Sequence, residues 1–387
     1  MPTARRLAVL GCLLLGLGAC TSRDAEGPPP SSSPTTSSAA APTTADPVAD
    51  ELAGMDRRAQ VAQLFVAGVR LDDLSAGGPL AESGVGGIFL AGRSQAPAAE
   101  LAATVEGWQA AVPGPGLWVA VDQEGGQVQS LQGPGFDPLP SALEQGALPP
   151  ADLAALADRL GASLHDAGVN VDLAPVVDVV PPGTESANPP IGAFDRQYGG
   201  TAAQVVPAAG AVVDGLAAHE VTATLKHFPG LGRVQGNTDT AATVIDSVTT
   251  ADDEQVAAFA TLAASPAEPF VMASSATYTE LDPANPAVFS PAVLTGLLRE
   301  QLGFDGVVIS DDVGNAAAVA DVPAGERAVR FLAAGGTHVL TVDATLVPEM
   351  IDAVLARADG DPAFAAQVDA AVRRALLAKS GAGLLPG

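Results

Sequence analysis

Cysteine is scarce in this 387-residue chain, which holds only Cys12 and Cys20. Two cysteines cannot build a framework of disulfides or a zinc site made of several thiolates. The four histidines include no His-x-x-x-His pair, and no acidic loop has the spacing of a calcium site. A phosphate-binding loop is missing too, since Gly125-Gly126 is not followed by Gly-Lys-Ser/Thr. We therefore expect no metal and no cofactor.

Basic residues are also few. Lysine and arginine together number 18 against 44 aspartates and glutamates, which gives a formal net charge of −26 and a pI near 4.2. Nucleic-acid binding needs a basic patch, so this composition excludes an electrostatic nucleic-acid binder. The same acidity disfavours binding of the folded part to an anionic membrane. Only two lysines occur, Lys226 and Lys379, so the position of each is informative.

The N-terminus has the pattern of an export signal. Arg5 and Arg6 precede a short apolar run, which ends in Leu17-Gly-Ala-Cys20. This run is too short for a membrane-spanning helix, and it resembles a bacterial lipoprotein signal. The interpretation is a signal peptide at residues 1–19 and acylation of Cys20, which would be the only link to the membrane. A plain secretory signal with an incidental cysteine is the alternative.

A linker is predicted at residues 20–49, where serine, threonine, proline and alanine dominate without apolar periodicity. The pattern predicts an exported protein that is anchored to the cell membrane, faces the cell wall and is tethered flexibly to its anchor. The folded domain is expected over residues 50–387, as a monomer.

Eight short apolar runs recur through the folded domain, and stretches of helical period, such as 151–167 and 202–218, separate most of them. Continuous apolar runs are typical of strands buried on both faces, and alternation with helices favours parallel pairing. A single (β/α)8 TIM barrel of the α/β class is therefore predicted, with a doubly wound sheet as the alternative. The runs are residues 63–67, 87–90, 117–121, 169–176, 221–225, 269–273, 306–309 and 337–341.

Polar residues follow strand after strand. In a barrel the carboxyl ends of all strands meet on one face, where the active site lies. Residues spread over nearly two hundred positions are thus expected around one pocket. The strand-end residues are Asp122-Gln-Glu124, Asp178, Lys226-His227, Ser274-Ser275 and Ser310-Asp311-Asp312.

Four ordered motifs in these segments resemble the signatures of glycoside hydrolase family 3, in particular its single-barrel bacterial β-N-acetylhexosaminidases, which act in cell-wall recycling. The resemblance covers about residues 55–380. It implies a retaining hydrolase that cleaves β-linked N-acetylglucosamine or related β-glycosides from cell-wall fragments. The motifs are Asp122-Gln-Glu-Gly-Gly126, Leu173-Ala-Pro-Val-Val-Asp178, Lys226-His-Phe-Pro-Gly230 and Gly306-Val-Val-Ile-Ser-Asp-Asp312.

The resemblance also implies roles for individual residues. Asp311 matches the nucleophile, a carboxylate that forms a glycosyl ester for water to hydrolyse. Asp122 matches an acceptor of hydrogen bonds from sugar hydroxyls. Lys226, His227 and Arg196 match donors to the sugar. His227 could in addition be a core histidine that holds the following loop. Asp312 is expected to be structural or a hydrogen-bond neighbour of Asp311.

The chain departs from the family where the acid/base should lie. Relatives carry Lys-His-Phe-Pro-Gly-His-Gly and then Asp-Ser-His, whose final histidine is the acid/base. Here Leu231 replaces the first loop histidine, Asn237 replaces the aspartate and Asp239 replaces the catalytic histidine. Arginines that relatives carry after Asp-Gln-Glu-Gly-Gly are replaced by Gln127 and Ser130.

Three interpretations remain open from the sequence. Asp239 could be the acid/base, with its pKa raised by an apolar pocket and its carboxyl oriented by Asn237. The protein could instead have lost catalysis and remain a sugar-binding lipoprotein of the envelope, although a binder has no evident reason to keep Asp311. Phosphorolysis ranks lowest, because an anionic Asp239 would repel phosphate.

Overall fold

The computed structural model describes residues 46–386. The predicted signal peptide at 1–19, the predicted acylation residue Cys20 and most of the predicted linker lie outside these residues. The first helix, α1, covers Pro47–Gly54, so regular structure begins three residues before the predicted domain start at 50. Asp46 caps this helix by accepting the backbone N–H of Val48 at 3.1 Å.

Eight parallel strands form the central sheet, and each falls on one of the eight apolar runs. Every strand residue except those at a few ends is buried, as a sheet covered on both faces requires. The strands are β1 Phe65–Arg70, β2 Gly87–Ala91, β3 Trp118–Val121, β4 Val171–Asp172, β5 Thr222–Phe228, β6 Phe270–Ala273, β7 Val308–Ser310 and β8 Val339–Thr341.

The sheet closes into a barrel. Strands β1 to β7 pair in sequence order, and β8 pairs with β1 in the register Phe65 to Val339. A parallel bridge between Ile309 and His338 joins β7 to the start of β8, so the ring has no free edge. The fold is the predicted (β/α)8 barrel, and the doubly wound alternative is wrong. His338 lies directly before β8 rather than inside it.

Helices surround the barrel. The two stretches of helical period correspond to the helices Pro150–Asp166 and Ala202–Ala217, whose apolar faces pack against each other. After α1 the helices are α2 Arg57–Ala62, α3 Gly77–Glu82, α4 Ala98–Ala111, α5 Ala142–Gly146, α6 Pro150–Asp166, α7 Ala202–Ala217, α8 Glu254–Ala263, α9 Ala324–Ala333, α10 Val347–Gly360 and α11 Pro362–Gly381. A further helix with π hydrogen bonding covers Ala292–Gln301. None of the helices in 46–386 combines the length and apolar character that a bilayer crossing needs.

Two apolar cores result from the alternation of side chains along the strands. The larger core lies between the strands and the helices. The smaller core fills the barrel itself, where Trp118 and Phe270 pack edge to face with ring centroids 5.2 Å apart. The barrel interior is therefore packed, and open space is found at the loops that follow the strands.

Two small sheets shape those loops. Gln123–Gly125 pairs antiparallel with Val128–Gln129 directly after β3. Ile245–Asp246 pairs with Thr277–Tyr278 and thereby connects the loop after β5 to the loop after β6. Both sheets lie on the face where the strands end.

Candidate active site

A cavity of about 350 Å3 opens at the carboxyl ends of the strands. All six residues that the sequence predicted to be catalytic or substrate-binding line it, although they come from four strands, β3, β4, β5 and β7, and the loops that follow them. They are Asp122, Arg196, Lys226, His227, Asp239 and Asp311. Of the other strand-end residues, Ser274 is buried and bonds to the hydroxyl of Tyr278 instead.

Asp311 follows β7 and is half-buried. Its Oδ1 accepts the backbone N–H of Asp312 at 2.8 Å, and its Oδ2 accepts no hydrogen bond from any residue of 46–386. Burial raises the pKa of Asp311; His227 opposes the rise and Asp239 adds to it. One carboxylate oxygen is thus available to a bound molecule.

Asp312 is structural, as expected from the sequence. Its carboxylate accepts the backbone N–H groups of Gly314 at 2.8 Å, Asn315 at 3.0 Å and Val342 at 2.9 Å. These bonds fix the start of the loop that follows β7. They also occupy the carboxylate of Asp312, so of these two adjacent aspartates only Asp311 presents a free oxygen to the cavity.

Lys226 lies at the centre of a buried polar cluster. Its Nζ is 2.6 Å from Asp122 Oδ1 and 2.6 Å from Glu124 Oε1. Burial by itself would lower the pKa of Lys226, but Asp122 and Glu124 outweigh it and raise the pKa above its ordinary value. The side chain therefore stays an ammonium and is held rigidly against Asp122.

Arg196 completes the cluster from the loop between β4 and α7. Its guanidinium binds Glu124 through two parallel bonds of 2.8 and 2.7 Å, and Nη1 donates to the Pro190 carbonyl at 2.7 Å. Burial would raise the pKa of Glu124, but Arg196 and Lys226 together lower it to about 2. Glu124 belongs to the Asp-Gln-Glu motif, but the sequence predicted no function for it.

His227 is held by Asp178, which is fully buried. Asp178 Oδ2 is 2.8 Å from His227 Nδ1, and Oδ1 accepts the backbone N–H groups of His227 at 3.2 Å and Leu231 at 2.7 Å. A carboxylate only accepts, so Nδ1 carries the proton in this pair and Nε2 is left for the cavity. His227 therefore lines the cavity and also anchors the loop after β5.

Asp239 lies on that loop, and two expectations about it are wrong. It is exposed rather than enclosed by an apolar pocket. Asn237 Oδ1 accepts the backbone N–H of Asp239 at 2.9 Å, so this contact fixes the loop backbone and does not orient the carboxyl. The Asx-type turn explains the outcome, because an asparagine side chain readily caps the N–H two residues ahead.

The match to known proteins decides the family. The family described as "Glycosyl hydrolase family 3 N terminal domain" matches residues 58–378. The chain belongs to glycosyl hydrolase family 3. It is 35% identical over 296 residues to a β-hexosaminidase of Stenotrophomonas maltophilia strain K279a, a match that covers 72% of this chain and 82% of that protein.

Solved structures agree with this family membership. The β-N-acetylhexosaminidase of Beutenbergia cavernae superposes with a TM-score of 0.81 and 48% identity, covering 84% of this chain and 99% of that one. A β-N-acetylglucosaminidase of family 3 from Paenibacillus gives a TM-score of 0.76 with 28% identity, covering 86% of this chain and 64% of that one. The protein is thus a glycosidase that resembles β-N-acetylhexosaminidases, and its substrate is a carbohydrate.

The sequence did not predict a role for one further buried carboxyl of this family 3 protein, that of Asp172. Asp172 at the end of β4 is fully buried, and its Oδ1 accepts the backbone N–H of Gln123 at 3.0 Å. Burial raises the pKa of Asp172 to about 8. The signal that could have found it is an aspartate inside an otherwise apolar run, since a carboxyl there is rarely buried without a purpose.

Histidines other than His227 lie away from the cavity. His219 pairs with Asp158 at 2.9 Å on the outer surface. His338 is buried next to Phe270 at the end of the barrel where the strands begin. Neither His338 nor His219 lines the cavity, and the same holds for His165 on α6. The cavity of this glycosidase therefore offers two carboxyls, Asp311 and Asp239, for proton transfer and nucleophilic attack.

Proposed function

We propose that this protein is a retaining β-N-acetylhexosaminidase, which releases β-linked N-acetylglucosamine or a related β-glycoside from cell-wall-derived fragments. One observation carries the proposal: the half-buried Asp311 carboxylate, with a free oxygen, shares a cavity with the ordered Asp122–Lys226 pair. The proteins that resemble this chain support the sugar, because two of them are named for hydrolysis of β-linked N-acetylhexosamines.

In the proposed mechanism Asp311 is the nucleophile. Its Oδ2 attacks the anomeric carbon as the bond to the leaving oxygen breaks, and a glycosyl ester forms. Water then attacks the anomeric carbon from the face that the leaving group left, the bond to Asp311 breaks, and the two inversions together retain the configuration. The carboxylate is the reacting form of Asp311, and His227 favours it by opposing the rise in the pKa of Asp311 that burial causes.

Asp239 is proposed as the general acid and base. It is the second carboxyl of the cavity that is not committed to an ion pair or to several backbone N–H groups, and it comes from a different loop than Asp311. A sugar bound in the cavity would cover this exposed side chain from water. The same residue would protonate the leaving oxygen and later take a proton from the attacking water.

Sugar binding is assigned to the polar cluster. Asp122 accepts hydrogen bonds from hydroxyls, Lys226 and Arg196 donate to them, and His227 offers Nε2 as an acceptor because its Nδ1–H is directed to Asp178. Arg196 reaches the cavity while its guanidinium is fixed on Glu124, so its position is set before the sugar arrives. Preordered donors of this kind cost little reorganisation on binding.

A catalytically impaired sugar-binding protein is not favoured. The relatives are hydrolases, and the cavity keeps a nucleophile-type carboxylate that a binder would not need. Phosphorolysis is not favoured either, because Asp239 and Asp311 would both repel phosphate in a cavity of this size.

We extend the proposal to location and assembly. The pattern ending in Cys20 supports export and acylation, so the enzyme would be a monomer anchored to the membrane and facing the cell wall. Radiolabelled palmitate should be incorporated into the protein and lost in Cys20→Ser. Incorporation that persists in the variant would refute the anchor, and a dimer mass in light scattering would refute the monomer.

The test of function is a panel of aryl β-glycosides with wild type and Asp311→Ala. Wild type should turn over the N-acetylglucosaminide best and release the β-anomer first, as seen by proton NMR. Asp311→Ala should be inactive, and a fluorosugar should add its mass to the peptide that contains Asp311. Asp321→Asn, an exposed carboxylate on the same loop, is the matched control and should remain active. Release of the α-anomer first, or full activity of Asp311→Ala, would overturn the proposal.

A further inference from the structure

The loop after β7, residues 313–322, is held from inside by a buried arginine. Arg327 on α9 is 9% exposed and forms no ion pair within residues 46–386. Its guanidinium donates hydrogen bonds to backbone carbonyls of the loop instead. The acceptors are Val313 at 2.8 Å, Gly314 at 2.7 Å, Ala320 at 3.2 Å and Val322 at 2.7 Å.

Asp312 and Arg327 hold this loop in complementary ways. Asp312 accepts N–H groups at the start of the loop, and Arg327 donates to carbonyls at both of its ends. A buried guanidinium is costly unless its donors are satisfied, so these bonds must form together. The planar fork of arginine can reach several carbonyls at fixed angles, which the single ammonium of lysine cannot do.

The loop then contacts the backbone of the proposed acid/base. The N–H of Ala318 donates to the Thr238 carbonyl at 3.0 Å, and the N–H of Ala317 donates to the Asp239 carbonyl at 3.3 Å. The two loops that carry Asp311 and Asp239 are therefore linked directly through main-chain bonds. Thr238 is 3% exposed, so this link is shielded from water on that side.

We propose that Arg327 is a positioning residue, which fixes Asp239 relative to Asp311 by ordering residues 313–322. The inference rests on the proposed function, because it needs Asp239 as the acid/base. Arg327 does not line the cavity, so its effect on the reaction must pass through the loop.

Of the two bonds in this link, the one to Asp239 itself can be deleted at one atom without removing a side-chain contact. Ala317 is the first residue of a short 3-10 turn, Ala317–Val319, where proline fits because its fixed φ suits that position. The preceding Ala316 has φ −59° and ψ 128°, a conformation that proline tolerates in its neighbour. Ala317→Pro thus deletes the N–H that donates to Asp239, while Ala317→Ser keeps it.

The decisive readout is dependence on the leaving group. Ala317→Pro should lower kcat for diacetylchitobiose, which needs protonation of a poor leaving group, by about 10-fold to 100-fold through misplacement of Asp239. Turnover of a dinitrophenyl N-acetyl-β-glucosaminide, which needs no acid for the first step, should fall far less when the rate of ester formation is measured. Ala317→Ser should behave as wild type on both substrates.

Arg327→Met should show the same split, and Arg327→Lys should recover only part of the activity. If Arg327→Met does not fold, Ala317→Pro alone decides. Equal loss on both substrates, or no loss on either, would overturn the inference. Asp239→Asn separates a failure of this inference from a failure of the proposed function. If Asp239→Asn loses more activity on diacetylchitobiose than on the dinitrophenyl substrate and Ala317→Pro does not, the proposed function stands and only the link through Arg327 fails. If Asp239→Asn shows no split, the acid/base assignment itself fails.

Discussion

Lys226 and Glu124 form an ion pair of 2.6 Å in which each side chain is only 3% exposed. Arg196 shares Glu124, and Asp122 shares Lys226, so two cations face two anions. Such a buried set contributes little net stability compared with apolar residues, but removal of one member leaves an uncompensated charge. The cluster is best explained as the support that holds Lys226 and Arg196 still beside the cavity.

Glu124→Gln is expected to destabilise the fold by about 3 to 5 kcal/mol at neutral pH, because Lys226 and Arg196 would lose a shared buried anion. The pKa of Glu124 is lowered from 4.5 to about 2, so its contribution is complete above 4.5 and is lost as pH falls through 2. Urea unfolding of wild type and variant should therefore differ most at neutral pH and converge toward pH 2. Asp122→Asn is the comparison: its side chain is 28% exposed, and a smaller loss is expected.

Asp172→Asn should have the opposite dependence on pH. Burial raises the pKa of Asp172 from 3.8 to about 8, so the folded protein holds a proton that the unfolded chain releases between these values. The stability that protonated Asp172 contributes to the wild type is fully present below pH 3.8 and is lost as the pH rises through about 8. Asparagine keeps the acceptor for the Gln123 N–H and does not ionise. Unfolding at pH 4 and at pH 9 should show that the variant gains relative to wild type as pH rises; a constant difference would contradict a neutral Asp172.

Lys379→Met tests the second lysine, which is fully buried and binds Gln63 Oε1 at 2.7 Å. Burial lowers the pKa of Lys379 from 10.5 to about 7, so the unfolded chain binds the extra proton between these values. Wild-type stability should rise with pH across this window, and that rise should be absent from the variant. Equal slopes of unfolding free energy against pH in the two proteins would show that Lys379 keeps its proton when folded.

Asp239→Asn is expected to slow hydrolysis of diacetylchitobiose by about a hundredfold or more, in line with the usual contribution of a general acid. Ester formation from a dinitrophenyl glycoside should be spared, since its leaving group departs without a proton. Added azide should restore turnover of the activated substrate by attacking the ester in place of water, with the β-glycosyl azide as the product. Asn237→Ala is the variant to compare with Asp239→Asn, because it removes the acceptor of the Asp239 N–H and leaves the Asp239 carboxyl in place.

The barrel and its rim could be predicted from the sequence because both depend on local patterns. Buried parallel strands are continuous apolar runs, and the first polar residues after them, such as Asp122 and Lys226, must lie on one face. The strand predicted at 169–176 is shorter in the structure, where β4 covers Val171–Asp172. Pro175 explains part of this difference, because proline has no N–H to give to a neighbouring strand.

The partners within the site could not be predicted in the same way. Glu124 stands beside Asp122 in the sequence, yet its pairing with Arg196 joins residues 72 positions apart. The contact of Asn237 with a backbone N–H rather than a carboxyl depends on a turn that residue types permit but do not require. The anchoring of the Asp239 loop by Ala317 and Ala318 involves only main-chain atoms, which leave no trace in residue identity.

Pairing of β1 with β8, together with the bond from Lys379 to Gln63, sets an order on synthesis of the chain. The first strand, β1, has an open edge until β8 at residues 339–341 has left the ribosome, and Gln63 meets Lys379, 316 positions later, only after that. An unpaired edge is a site for association between chains. Incomplete translation products of this protein should therefore depend on chaperones or be degraded. In the complete chain, pairing with β8 covers the edge of β1.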